Sequence, residues 1–231
     1  MITKEQIRIC KAIVSIFETG NAQGDYTKTT ILSDGAGISY GAHQATDRAG
    51  SLDRIVKRYL ALGGARQEDA RRVLELLDDD GTIRYSSLSS ASPEVRAAAQ
   101  ILRELGSEPT MIEAQDQIFD ELYWRPAQYQ CEAMALVLPL SWAVVYDTCV
   151  HSGLKGVDRI RARFPAACPA NGGLETSWTA AYVEARRAYL AGHSNELVRR
   201  TVYRPDAFAA LIRERRWSLA LPFAVRGVAI P

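Results

Sequence analysis

The chain has almost no net charge, no cysteine motif and no long uninterrupted apolar run. Its formal charge of +1 excludes the broad basic surface of a nucleic-acid binder. The four cysteines, Cys10, Cys131, Cys149 and Cys168, show no CxxC spacing. Cys10 and Cys149 sit among apolar residues and read as reduced core thiols. Zinc-finger spacings, Walker-type phosphate loops and metal-ligand clusters are missing, so no metal and no other cofactor is expected. The longest apolar stretch, 131–150, is interrupted by Pro139 and Asp147 and reads as a buried helix rather than a membrane span. No internal repeat or low-complexity stretch occurs. The start, Met1-Ile2-Thr3-Lys4-Glu5-Gln6, lacks the basic stretch, apolar run and cleavage site of a signal peptide.

What is present is ordinary for a globular protein. The 231 residues are 47% hydrophobic and 24% charged, enough for one large domain or two lobes sharing a core. Helical periodicity dominates. Residues 5–17 place Ile7, Cys10, Ile13, Val14 and Phe17 on one face, with Gly20 as the expected cap. Residues 26–40 carry β-branched residues around Asp34-Gly35 and predict a short β-ribbon. Ser51 is the expected cap of a helix over 52–61, ended by Gly63-Gly64. Further helices are expected over 66–77, 93–105, 110–122, 140–150, 178–190 and 206–215. The 140–150 helix is apolar on nearly every side and belongs at the centre of the core. The tail 219–231 is expected to pack as an extended segment. The fold class is mainly α, with one small β element.

Two carboxylates stand out. Glu18 closes the first helix, and Asp34 opens the turn Asp34-Gly35-Ala36-Gly37-Ile38-Ser39. A glycosidase needs one protonated carboxyl to donate to the leaving oxygen and one ionised carboxylate to activate water or attack the sugar. The negative end of a helix dipole and the apolar neighbours Ile16 and Phe17 favour a proton on Glu18. Backbone N–H groups in the glycine-rich turn favour an ionised Asp34. Ser39 is positioned to hold the attacking water. A helix-end glutamate is also commonly just solvated, and Asp-Gly is a common hairpin turn. Spacing alone leaves both readings open.

The stretch Phe17-Glu18-Thr19-Gly20, followed by Asp34-Gly35-Ala36-Gly37-Ile38-Ser39, resembles the catalytic region of chitosanases of glycoside hydrolase family 46, in the lysozyme-like superfamily. Residues 142–153, with the pair Tyr146-Asp147, resemble the family's core helix. The block Gly172-Gly173-Leu174-Glu175-Thr176, running on to Arg186, resembles another family stretch. The three blocks occur in the family's order along nearly the whole chain. The resemblance implies a two-lobed, mainly helical fold with a small β-sheet and a cleft between the lobes. It is expected over 1–231, with 1–65 plus 130–231 as the catalytic core and 66–129 as the second lobe. It implies Glu18 as general acid, Asp34 as base and Ser39 as water holder. The mechanism implied is inverting, with carboxyls roughly 6.5–9.5 Å apart. It also implies an ion network behind the base, to which Asp147 and Arg186 correspond and to which Arg159 or Arg161 adds a third member. Ala36 stands where the family has an arginine.

The substrate expectation departs from the family. Gly50-Ser51-Leu52 stands where a carboxylate would bind the protonated amine of glucosamine; Asp53 and Asp47 are the nearest replacements. Together with the neutral net charge, this favours bacterial peptidoglycan over chitosan, the latter being the alternative polymer. Tyr40, His43, Gln44, Ser51 and Glu175 are the expected substrate-binding positions. Action outside the cytoplasm is expected, with delivery by lysis or a specialised secretion route and an antibacterial role. A non-catalytic glycan-binding module is the rival from another class. A third reading adds an immunity protein that plugs the cleft.

Overall fold

The computed structural model describes residues 2–32, 37–42, 44–46, 51–77 and 92–231. In chain order the elements are α1 (Lys4–Thr19), β1 (Thr29–Leu32), β2 (Gly37–Tyr40), β3 (Ala45–Thr46), α2 (Leu52–Ala61), α3 (Gln67–Glu75), α4 (Pro93–Leu105) and α5 (Pro109–Phe119). A π-helical turn, Asp120–Trp124, leads into α6 (Arg125–Ala133), then α7 (Pro139–Ser152) and α8 (Leu154–Arg161). The chain ends with α9 (Glu175–Ala191), α10 (Glu196–Arg199), α11 (Tyr203–Arg213) and the short strands β4 (Ala224–Val225) and β5 (Val228–Ala229).

The chain divides into two compact units, Met1–Ala22 with Leu122–Pro231, and Gln23–Glu121. The first division falls well before residue 65, because α2 packs on α5 and α3 packs on α4 within the second unit. Residues 23–65 therefore belong with the unit expected to begin at 66.

In the first unit, α7 is the centre, as its all-round apolarity predicts. Every residue from Pro139 to Cys149 is buried, and α1, α6, α8 and α9 pack around it. A fully buried Val, Leu or aromatic side chain contributes roughly 1.5–3 kcal/mol, so this helix anchors the unit. Trp124 stacks against Trp142 and meets Tyr146 edge-on, with centroids 6.0 and 5.0 Å apart. All four cysteines are free and buried, and burial pushes the Cys149 thiol up to about 12. Among the described residues, no helix is long and apolar enough to cross a membrane.

In the second unit, β1 pairs antiparallel with β2, and β2 with β3. Thr30 lies opposite Ser39, and Ser39 opposite Thr46. The Gln115 amide ties this sheet to α5: its oxygen accepts from Ala42 N at 3.2 Å, and its nitrogen donates to the Tyr26 carbonyl at 3.0 Å.

Element ends show where local signals succeeded and failed. The Thr3 and Gln6 side chains form a reciprocal capping box at the start of α1, and Gly20 ends it at φ 81° with its N–H on the Ile16 carbonyl. Ser51 precedes α2 as expected, but its hydroxyl makes no capping hydrogen bond to the helix. The helices α6 and α8 were not anticipated. Pro126 reads as a breaker in sequence, yet the helix runs through it out of the π-helical turn Asp120–Trp124. The same effect at Pro205 hid the true start of α11 at Tyr203. The tail is not simply extended: Val225 and Val228 flank a two-residue hairpin turn.

Candidate active site

Glu18 occupies the last turn of α1, where Ile16 and Phe17 are turned into the core at 3% and 5% exposure. Its side chain keeps 33% exposure. The apolar surround expected from sequence is only half of its environment. Arg204 Nη1 donates to Glu18 Oε1 at 2.7 Å, and the Arg204 guanidinium lies 5.2 Å from the Phe17 ring centroid. Tyr123, in the π-helical turn, is also close: burial, and then the Glu18 charge, push its phenol up. Single π-turns of this kind re-aim side chains and recur at functional sites.

Behind Glu18 lies a buried ion network centred on Asp147. Arg186 Nη1 donates to Asp147 Oδ2 at 2.5 Å. Arg204 Nη2 donates to Oδ1 at 2.5 Å, and its Nε is shared between Oδ1 at 3.1 Å and Oδ2 at 3.3 Å. Asp147 is fully buried, and the side chains of Arg186 and Arg204 are at 1% and 3% exposure. Burial acts to raise the Asp147 carboxyl, but Arg186 and Arg204 outweigh it and hold it below the usual carboxylate range. For Arg204, burial is outweighed in turn by Asp147 and Glu18, which push its guanidinium higher still. Charges this deep are tolerable only when paired and hydrogen-bonded.

Asp34, the base that the expected network was to back, lies outside the described residues; beside Glu18 the expected Asp147–Arg186 pair is present, with one correction to the network. Its third member is Arg204, and neither Arg159 nor Arg161 takes part. Arg159 is exposed and donates to the Tyr189 hydroxyl at 2.9 Å, while Arg161 lines a surface hollow with Asp158 and Trp178. The helix expected over 206–215 leaves Arg204 outside any element, whereas α11 begins at Tyr203. A proline read as N-terminal rather than breaking would have brought it in.

Other expected positions separate clearly. Asp34 and His43 lie outside the described residues, as does Asp47. Ser39 is in β2 and buried. Tyr40 is 1% exposed, so it is a core residue of its unit and not a sugar contact; burial pushes its phenol up. Gln44 is exposed at the β2–β3 turn with φ 51°. Ser51 is buried at 8%. Asp53, two residues on, has its Oδ2 on Lys57 Nζ at 3.0 Å, while its buried Oδ1 has no partner among the described residues.

Glu175 is also corrected. Its carboxylate accepts from Val137 N at 3.1 and 3.0 Å and from Leu138 N at 2.9 Å. It is therefore an anchor for the start of α7, where the helix dipole welcomes negative charge. The two glycines before it are steric. Gly172 has φ 79°, and a Cβ on Gly173 would meet the Ala167 carbonyl oxygen at 1.7 Å. Among the described residues, no group of His, Cys, Asp and Glu has the arrangement of a metal site.

The mainly helical chain with its small antiparallel sheet has a lysozyme-like fold, and its match to a glycosyl hydrolase family makes it a glycoside hydrolase. Residues 12–223 match the model of glycosyl hydrolase family 46, and the chain belongs to that family. A chitosanase of Bacillus subtilis (strain 168) is 24% identical over 241 residues, covering 97% of this chain and 83% of that protein. Among solved structures, a mutant chitosanase from Bacillus subtilis MY002 complexed with 6 GlcN superposes with a TM-score of 0.76 at 22% identity, covering 98% of this chain and 96% of that one. A family-46 chitosanase from Gynuella sunshinyii in complex with chitotetraose gives 0.77 at 22% identity, covering 99% and 98%. These likenesses establish the fold.

Proposed function

We propose that this family-46 glycoside hydrolase cleaves β-1,4 links in chitosan. Glu18 is the proton donor, Asp34 activates water and Ser39 helps to place it. Inversion of the anomeric centre follows the family resemblance. The observation that supports the reading is the Arg204 bridge, which holds the Glu18 carboxyl in one direction. Arg204 is already engaged by buried Asp147, so it orients Glu18 through one N–H while its own charge is largely compensated. An oriented carboxyl at hydrogen-bond reach of a leaving oxygen is what general acid catalysis requires.

Chitosan is preferred over peptidoglycan for two reasons. The curated relative and the two solved relatives described above are chitosanases, one of them in complex with 6 GlcN and another with chitotetraose. The neutral total charge also conceals a division. Residues 23–121 contain 17 Asp and Glu against 11 Lys and Arg, a net −6, while the rest contains 10 against 17, a net +7. An acidic unit of that size attracts a polycation. The same division removes the charge argument that favoured peptidoglycan. Asp53, two residues from Ser51, is the candidate replacement for the amine-binding carboxylate absent there.

The test is direct. The protein is incubated with chitosan and, separately, with purified peptidoglycan sacculi, and new reducing ends are identified. Release from chitosan, abolished in Glu18→Gln and Asp34→Asn, supports the reading. Release from sacculi alone reverses the substrate, and binding without release from either polymer indicates a glycan-binding module. NMR of the first product anomer tests inversion.

A further inference from the structure

The last turn of α1 is tied down from outside the helix. Carbonyls at a helix end have no intrahelical partner and must find others. The Ser15 carbonyl accepts from Thr19 Oγ1 at 2.9 Å, and the Ile16 carbonyl from Gly20 N at 3.0 Å. The Phe17 carbonyl, in the peptide bond that leads directly into Glu18, accepts from the Tyr203 hydroxyl at 2.8 Å. Tyr203 also meets the Phe17 ring edge-on, with centroids 6.0 Å apart. The next residue, Arg204, holds the Glu18 carboxylate. Adjacent residues of α11 thus grip one turn of α1, Tyr203 by its backbone and Arg204 by its side chain.

Tyr203 is itself held. The Arg226 guanidinium carbon lies 3.9 Å from its ring centroid, the shortest cation–π contact among the described residues. Arg226 and Gly227 form the tip of the β4–β5 hairpin, with φ 52° and 81°. Two successive left-handed residues make the primed turn that favours Asn-Gly. An arginine with a β-carbon is disfavoured there. What offsets the misfit is the side chain, which the tight turn places over the Tyr203 ring.

We propose that Tyr203 and Arg226 form a brace that sets the direction of Glu18. Tyr203 is a positioning residue acting through the Phe17 carbonyl, and Arg226 acts through Tyr203. The inference rests on Glu18 being the proton donor. Small displacements of a reacting group lower turnover far more than binding, on the order of 10²-fold for about 1 Å.

The experiment uses the full chain on soluble glucosamine oligomers. Tyr203→Phe removes the hydroxyl and keeps the ring; Arg226→Asn removes the stack and improves the turn. We expect kcat to fall about tenfold in Tyr203→Phe and about threefold or more in Arg226→Asn, with KM within about twofold. The thermal midpoint of Arg226→Asn should be unchanged or raised. The double variant should be no slower than Tyr203→Phe alone. The brace is overturned if both variants keep parental kcat, if KM changes in place of kcat, or if activity only follows thermal stability. Glu18→Gln is assayed alongside. If it stays active, the proton-donor reading and the brace both fall; if it is inactive while Tyr203→Phe turns over normally, the brace alone falls.

Discussion

Glu18 and Asp147 share one guanidinium. Arg204 gives Nη1 to Glu18 and its remaining nitrogens to Asp147. A residue at the surface of the site is thereby tied to the most buried carboxylate of its unit. Orientation at the site and stability of the core are consequently coupled through Arg204, and substitutions on the two sides should separate them.

On the exposed side, Glu18→Gln keeps an acceptor for Arg204 but removes the transferable proton. Turnover on chitosan should fall at least about 10²-fold, with the thermal midpoint nearly unchanged. Reducing-end assays and a melting curve check both. Parental turnover in a well-folded variant would remove Glu18 from the mechanism.

On the buried side, Asp147→Asn leaves two guanidiniums facing a neutral amide. Breaking a buried pair of this kind costs about 3–5 kcal/mol. Denaturant unfolding should show that loss, and a cost below about 1 kcal/mol would contradict the network's structural role. Because Asp147 is held below its ordinary 3.8, its contribution is present above that pH and is lost as pH falls through the lower folded value.

His151 acts in a different pH window. Burial first, and then Arg204 and Arg186, hold its imidazole down at about 4 from 6.5, with Asp147 opposing. Between those values the unfolded chain binds a proton that the native state refuses, so stability falls as pH drops from about 6.5 to 4. His151→Gln should flatten that part of the stability profile while leaving the region below it intact. An unaltered slope between pH 6.5 and 4 would show that the imidazole titrates normally.

Glu175→Gln distinguishes an anchor from a sugar contact. Loss of a charge-assisted bond to the Val137 and Leu138 N–H groups just before α7 should cost about 1–2 kcal/mol, with kcat/KM on glucosamine oligomers within about twofold of the parent. A tenfold rise in KM at unchanged stability would restore Glu175 to the substrate.

Asp53→Asn tests the amine contact. KM for glucosamine oligomers should rise, with kcat maintained and little response to N-acetylated oligomers. An equal effect on both substrates would show that Asp53 supports α2 and does not read the amine.

Much was legible from local pattern. Apolar spacing located α1, α2, α4 and α7, and Gly20 marked a true helix end, because helix periodicity and left-handed capping are properties of a few neighbouring residues. The blocks around Glu18, Asp147 and Arg186 were visible through their resemblance to the family. Long-range pairing decided the rest. Arg204 stands 57 residues from Asp147 and 186 from Glu18, and no local pattern distinguishes it from the exposed Arg159. Tyr40 and Glu175 are polar-capable side chains that read as ligands in one dimension. Their burial turns the first into core and the second into a helix anchor. By itself the sequence determined most of the helices, the family and the candidate acid. Tertiary structure alone decided which charges meet, because burial and partner geometry, rather than residue type, set what a charged side chain does.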